Sequence, residues 1–532
     1  MEKRLIIAIA LSVLIIMGFQ FLAPKKSVPT VKSESARSEL AQADVAPVPR
    51  SVPDAVIEKD YTVDEKLDMI ETGKYVITFS NIGGAIKKIE LIDYKDRDTD
   101  GELALVDLAD PRDYICALSG NIGAGSLSGV AFAKIRENNI ISYYAKVGDV
   151  EIIKRYTIDF DQYQIIHDLV LKNKSGSAVA VSFRMNGGAG LSEKHAQDKR
   201  FVEVTTKIGD KVTGFKRPRE GRVTVPGNVK WVAAKNKYFS IVLKPFGETS
   251  GSYYYESKDG FFVDGVMYNE VSLPGRNYLE YGSQIYAGPA SSKGMEAYGE
   301  GYEESINYGF FGIIAHALMA AARMIHKVVG NWGVSIIILS VLLNILLFPL
   351  SMKSFSSMKK MHELHPQMEK LKVQLKDNPQ KLNQEIMGMY KKYKVNPFGG
   401  CLPLLLQMPI FISLYQALSR SIELRGASFL WIRDLSMPDA VPIPITLPII
   451  GNSVNILPLL MVVGMVLQQR MSTKVMGSAV TDEQKQQQKM MLIIMPVMFG
   501  FIFYNMPSGL VLYWLVNTVL TTFEQAVVFK NA

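Results

Sequence analysis

The sequence predicts an α-helical membrane bundle joined to a separate all-β domain. Apolar residues gather in blocks near the N-terminus and after about residue 305, short β-rich runs fill the interval between them, and the basic excess lies beside the apolar blocks. With 532 residues, and roughly 150 per domain, the chain has room for several such units. Hydrophobic residues make up 48% and the mean hydropathy is +0.10, so distribution rather than composition argues against a wholly water-soluble chain.

The first element is the uncharged run LIIAIALSVLIIMGFQFLA, which closes at Ala23. It is just long enough to cross about 30 Å of hydrocarbon, and no A-x-A cleavage site precedes Pro24, so residues 1–23 read as an uncleaved signal anchor. Residues 24–57 mix Pro, Ser, Ala, Lys and Val, a composition that buries too little apolar surface to offset ordering entropy, and they read as a flexible linker. Residues 58–304 carry runs such as GKYVITFS, EIIKRYTIDF and AVAVSFRM. Tyr75, Ile77 and Phe79 alternate, as do Val179, Val181, Phe183 and Met185, and both sets fit strands with one covered face in a large antiparallel sandwich.

Residues 305–331 place His316, Ala320, Arg323 and Lys327 on one helical side and Ile314, Leu318, Ile325 and Val329 on the other. That pattern suits an amphipathic helix in the membrane interface, although a further span remains open. Next come a spanning helix over 332–352, a basic helical hairpin over 353–397 and four more spans within 398–529, which with the anchor make six. The blocks Ile456–Gln468 and Met490–Tyr504 rise only about 20 Å as helices, so either their flanks extend them or the bilayer thins. The hairpin has helical apolar steps from Met358 to Leu375, a break at Asn378 and Pro379, and a second stripe through Leu382, Ile386, Met389 and Tyr393.

Charge sets the expected direction. Residues 353–394 carry net +6 and 470–489 net +2, whereas 420–454 are neutral. Short basic loops stay in the cytoplasm, which puts both termini inside and the β domain outside. The total of +8 is thus a record of topology, and no nucleic-acid partner is expected.

Polar residues inside the spans are the candidates for function, because a polar group in hydrocarbon needs a partner or a wet cavity. They are Ser335, Ser340 and Asn344, then Gln407 and Gln416, Gln468 and Gln469, and finally Asn517, Thr518, Thr521, Thr522, Glu524 and Gln525. Each suits an interhelical hydrogen bond, and together they allow a polar pocket open to the cytoplasm. On the hairpin, Lys359, Lys360, Met368, Lys370, Lys372, Lys391 and Lys392 offer a basic, Met-containing surface for chains, ribosome or lipid headgroups; the alternative is two helices packing each other. Pro403, Pro409, Pro458 and Pro496 within the spans keep a small-solute transporter open as a second function, and a non-catalytic assembly scaffold is a third. Six His, with no HExxH and no CxxC, point to no metal or cofactor. His167 beside Asp168, and His195 near Glu193, read as ordinary structural residues, and NGGAG at 186–190 lacks the strand-to-helix context of a dinucleotide loop. Only Cys116 and Cys401 are present, which excludes a disulfide scaffold.

The segments NWGVSIIILSVLLNILLFPLS, YKVNPFGGCLPLLLQMPIF, ELRGASFLWIRDLS and MPSGLVLYWLVN, in this order, resemble the YidC membrane protein insertase family in its Gram-negative form. The resemblance covers about 305–529, and the anchor, linker and β domain match the wider architecture. It implies five core helices around a hydrophilic groove, a periplasmic β-supersandwich, an inner-membrane location, and no enzymatic chemistry. Implied partners are nascent inner-membrane proteins, the Sec translocon, membrane lipids and, transiently, the ribosome. The family often carries a groove arginine four residues before its aromatic-Pro-Leu motif; here Phe348, Pro349 and Leu350 put Asn344 there, so a mechanism resting on that charge does not transfer. Ser340 aligns with a hydroxyl position, and Tyr513 with Trp514 fit the substrate-contacting aromatics. Pro397, Gly399 and Gly400 resemble the break from hairpin to membrane helix, and Pro507 with Gly509 the tight turn between the last two spans.

Overall fold

The computed structural model describes residues 50–52, 64–96, 101–191, 199–215, 221–298, 301–306, 308–375, 378–393, 402–447, 451–476 and 482–530. The anchor at 1–23, His195, Pro397, Gly399, Gly400 and Cys401 lie outside them. The chain forms a β unit within residues 34–307 and a helical unit within residues 308–532.

In the β unit every strand pairing is antiparallel. Nine strands lie in the order Lys211–Phe215, Glu203–Ile208, Val229–Lys235, Phe239–Phe246, Tyr278–Pro289, Gln164–Asn173, Val150–Ile158, Ile140–Val147 and Ala133–Glu137. A second sheet runs Arg50–Val52, Arg222–Pro226, Gly251–Glu256, Phe262–Met267, Val179–Ala189, Leu118–Ile122 and Gly125–Ser126, with Val271–Leu273 beside Val179–Ala189. A third holds Leu67–Glu71, Tyr75–Ser80, Ala85–Lys95 and Glu102–Asp107. The first two pack face to face, with Val179–Ala189 lying against Val229–Lys235 and Phe239–Phe246.

Gly187 and Gly188 make that approach possible. A Cβ on Gly187 would sit 2.4 Å from Asp264 Oδ1, and one on Gly188 would sit 2.6 Å from the Ala234 Cβ. The glycine-rich segment is therefore a strand crossing at close range, with no phosphate loop about it.

Two expectations need correction. Composition predicts a linker to residue 57, yet Arg50–Val52 pairs with Arg222–Pro226, because an edge strand leaves unpaired backbone groups that any extended segment can satisfy. The alternation in Tyr75–Ser80 predicts one covered face, yet all six of its residues are buried. Its polar side is hydrogen bonded: Ser80 Oγ donates to Glu65 Oε1 at 2.7 Å, and Tyr114 Oη reaches the same oxygen at 2.7 Å. Alternation does hold in Val179–Ala189, where Val181, Phe183 and Met185 are buried and Ala180 and Ser182 exposed.

The helical unit comprises α1 (Gly312–Val329), α2 (Trp332–Gln374), α3 (Pro379–Lys392), α4 (Leu402–Arg420), α5 (Ile456–Met476), α6 (Asp482–Phe503) and α7 (Ser508–Lys530). Gly330 at φ +73° ends α1, and Asn331 caps α2, its side chain accepting from Val334 N at 3.1 Å. The boundary expected at 352/353 is not a break, since α2 continues through Pro349 and Pro366 for 43 residues. It stops before Asn378, which caps α3 by accepting from Lys381 N at 3.1 Å, with Pro379 at the first helical position.

By length and composition α1, Trp332–Ser357 of α2 and Ser508–Val527 of α7 are each apolar enough to cross a membrane, and Ile456–Met471 and Leu492–Phe503 are shorter apolar stretches. Both short blocks lie in longer helices whose polar flanks extend them, α5 to Met476 and α6 from Asp482. α7 packs on α2, α4 and α5, and α1 packs on α2 and α4.

Candidate functional site

The polar residues of the spans converge on one helix. Tyr513, Asn517 and Thr521 follow each other at four-residue steps, so they form a row along one side of α7 that rises about 6 Å and turns about 40° per step. That slow turn brings each member to a different neighbour. Gln407 of α4 donates through Nε2 to Tyr513 Oη, Asn344 of α2 donates through Nδ2 to Asn517 Oδ1 at 2.9 Å, and Gln468 of α5 donates through Nε2 to Thr521 Oγ1 at 2.9 Å. Three side-chain amides from three helices thus meet one face of α7.

The opposite side of α7 is apolar and open, with Val519 56%, Phe523 69% and Val527 45% exposed. The polar stripe is buried at Tyr513 and half-buried at Asn517 and Thr521, and an exposed apolar stripe behind it is what a helix bordering lipid requires.

The remaining candidates fall into place around this row. Asn344 is buried and also donates to Ser340 O at 3.0 Å, while Ser340 Oγ donates to Ile336 O at 2.7 Å within its own helix. Thr518 is buried and donates to Trp514 O at 2.9 Å, so its hydroxyl serves α7 itself. Trp514 points into an aromatic group with Phe411, Phe499 and Phe503, at centroid separations of 5.0, 5.6 and 5.3 Å. Gln416 does not join the row: nine residues from Gln407, it lies about half a revolution away on α4, near Gly309. Gln468 is the partner that completes the third rung, and its signal in the sequence is the pair of amides, Gln468 and Gln469, at the end of an apolar block.

The turn into α7 is pinned from outside: Ser508 N donates to Met437 O and Gly509 N to Leu435 O, both at 2.8 Å, just after Pro507. Pro409 lies inside α4, where Ser413 Oγ donates to its carbonyl at 2.7 Å; Pro403 lies in the first turn of the same helix. In the hairpin, Tyr390 Oη meets Met368 Sδ at 3.6 Å and Tyr393 Oη meets Gln367 Oε1 at 3.4 Å, so Met368 belongs to the seam between α2 and α3. Lys360, Lys370, Lys391 and Lys392 are exposed, Lys359 is half-buried, and the Lys372 side chain lies outside the described residues.

The β unit buries titratable groups, but they serve the backbone. Lys154 Nζ donates to Gly83 O at 2.8 Å and Cys116 O at 2.6 Å, and Tyr156 Oη to Gly84 O at 2.6 Å, which secures two turns in left-handed conformations. His167 is fully buried, its Nδ1 3.2 Å from Ser283 Oγ and its ring 4.7 Å from that of Tyr156. Burial, then the Lys154 charge, holds its pKa well below the usual value. Asp168 sits on the opposite face of the strand, so the adjacent pair in sequence is no pair in space. Burial pushes the Cys116 thiol up to about 12. Among the described residues no cluster of three or more His, Cys, Asp or Glu is placed to hold a metal ion.

Family models match almost the whole of both units: a YidC periplasmic domain model covers residues 69–321, and a 60Kd inner membrane protein model covers 324–532. The membrane protein insertase YidC of Geobacter metallireducens is 33% identical over 557 aligned positions, covering 100% of this chain and 99% of the relative. Its counterpart in Geobacter sulfurreducens is 32% identical, covering 99% of this chain and 98% of that protein. A solved structure of an active YidC insertase with its first transmembrane domain resolved matches at 18% identity over 98% of this chain and 99% of its own, with a TM-score of 0.38, a superposition too loose to add to the sequence relationship.

Proposed function

The chain belongs to the YidC family of membrane protein insertases, and we propose that it inserts its clients through the polar row on α7. It is a multi-pass inner-membrane protein with a periplasmic domain, and it is not an enzyme. The work is physical. A nascent chain has to carry polar backbone and side chains into low dielectric, where an unpaired amide costs several kcal/mol, roughly 2–7 by reference state. Side chains that hydrogen bond along the path lower that cost.

The observation that carries this reading is the convergence of Asn344, Gln407 and Gln468 on Tyr513, Asn517 and Thr521. Neutral amide bonds between membrane helices contribute only about 0.6–2 kcal/mol each, so a client amide exchanges with a rung at nearly balanced energy. A fixed ion pair would resist such exchange. With Asn344 in place of a groove arginine, polarity and hydration replace a fixed charge as the attraction for polar client segments.

In this reading both termini and the α2–α3 hairpin face the cytoplasm, where the exposed lysines of the hairpin meet ribosome or lipid headgroups transiently. The first 23 residues anchor the chain, the linker ahead of Arg50–Val52 tethers the β unit, and α1 lies along the interface ahead of five core spans. The β unit, as a periplasmic supersandwich, supports clients or contacts the Sec translocon. Nascent inner-membrane proteins are the clients, small ones taken alone and larger ones together with that translocon.

The test is insertion of a single-span client into liposomes holding only this protein, read by protease protection. Wild type should accelerate insertion, and Gln407→Leu, Asn344→Leu and Gln468→Leu should each slow it while retaining helical content. Three variants as fast as wild type would remove the row from the mechanism.

A further inference from the structure

The row on α7 continues past Thr521. Glu524 lies seven residues beyond Asn517, two turns less about 20°, which returns it to the face of Tyr513 and Asn517 about 10 Å nearer the hairpin end. It is half-buried, and its Oε2 is closed off from solvent without a hydrogen-bond partner. Glu524 is also the sole acidic residue between 490 and 532. A buried carboxylate oxygen with no donor is costly, and in a native structure such a group calls for an occupant.

We infer that Glu524 is a specificity residue for clients, receiving the ammonium or guanidinium of a lysine or arginine that flanks a client's apolar segment at its cytoplasmic end. The inference rests on insertion through the α7 row as proposed above. Three features select a basic side chain as the occupant. The rungs above Glu524 are neutral amides and hydroxyls, so the sole charge on the row's face is negative. Asn344 supplies no cation to compete for that carboxylate or to favour an acidic client. Lysine and arginine, finally, are what membrane segments carry at their cytoplasmic ends, on stems long enough to reach a headgroup-level partner from within the apolar phase. The carboxylate would hold the client's flank on the cytoplasmic side while its apolar part moves into lipid.

The test uses full-length protein in phosphatidylcholine liposomes, whose neutral surface takes lipid charge out of the comparison. Three single-span clients differ only in one flanking residue, Lys, Gln or Glu, and protease protection gives the insertion rates. Wild type should insert the Lys client about tenfold faster than the Gln client, the advantage of a hydrogen bond between charged groups. Glu524→Gln, nearly isosteric, should bring that ratio close to one because the Lys client loses its advantage. Glu524→Lys should place the Glu client ahead of the Lys client. A merely structural role for Glu524 would slow all clients alike. A Lys-to-Gln ratio equal in wild type and Glu524→Gln overturns the assignment while leaving insertion through the row intact; a wild type that accelerates no client overturns both.

Discussion

Lys154 makes the stability of the β unit depend on pH in a direction that can be worked out in advance. It lies in Val150–Ile158 with no exposed surface, held by the carbonyls of Gly83 and Cys116 at 2.8 and 2.6 Å and by the rings of Phe132 and Tyr156 at 5.9 and 5.8 Å. No carboxylate among the described residues pairs with it, and burial lowers its pKa from 10.5 to about 8. A folded value below the unfolded one means that the unfolded chain binds more protons between the two. The contribution is therefore complete above about 10.5 and is lost as pH falls through about 8. The full difference corresponds to roughly 3 kcal/mol, of which about 2 kcal/mol should appear as a rise in stability between pH 7 and 9.5. Lys154→Met removes the titration, and subtracting its curve from wild type cancels tyrosines that ionise at the upper end of the range. Urea unfolding of full-length protein in detergent, followed by the fluorescence of buried Trp231 with the other tryptophans replaced by Phe, reads the difference. Wild-type and Lys154→Met curves that run parallel across this window, or a difference that shrinks with pH, would refute the reasoning.

Asn344→Leu leaves Asn517 Oδ1 without its donor and should lower thermal stability by about 1–3 kcal/mol; adding Asn517→Leu should restore the melting temperature but not protease-protected insertion. Gly188→Ala sets a methyl 2.6 Å from the Ala234 Cβ and should destabilise the β unit by about 1–3 kcal/mol in the same urea titration. Asp264 is fully buried with Oδ1 accepting from Gly188 N at 2.6 Å, and burial raises its pKa well above the usual value. Its stabilising contribution is thus present at low pH and lost as pH rises, so Asp264→Asn should gain on wild type as pH is raised from 4 to 7.

Much of the architecture was legible because local chemistry decides it. Asn378 and Pro379 announce a cap and a first helical residue wherever they fall, and the structure has both roles there. Val181, Phe183 and Met185 alternate because one side of their strand meets another sheet. Tyr75–Ser80 departs from the same rule, since Glu65, just ahead of the neighbouring strand Leu67–Glu71, accepts the hydrogen bond of Ser80 on its polar side. Arg50–Val52 was unreadable as a strand because three residues of a polar, Pro-rich tract acquire one only from the edge they meet. His167 and Asp168 looked like a pair only because neighbours in a strand are neighbours in the text; the pleat sends them to opposite faces.

By itself the sequence determined the apolar blocks, the β-rich interval, the hairpin break, the charge asymmetry and the replacement of a groove arginine by Asn344, for each is written in residue type and spacing. Only tertiary structure decided which polar groups act together. Gln407, Asn344 and Gln468 stand on three helices far apart in the chain, and their convergence depends on which helices pack around α7 and on the rotation of each about its axis. Those angles follow from side-chain packing summed over whole helices, a non-local quantity that leaves no mark in any one segment. The same rotation turns Gln416 away from the row and returns Glu524 to it.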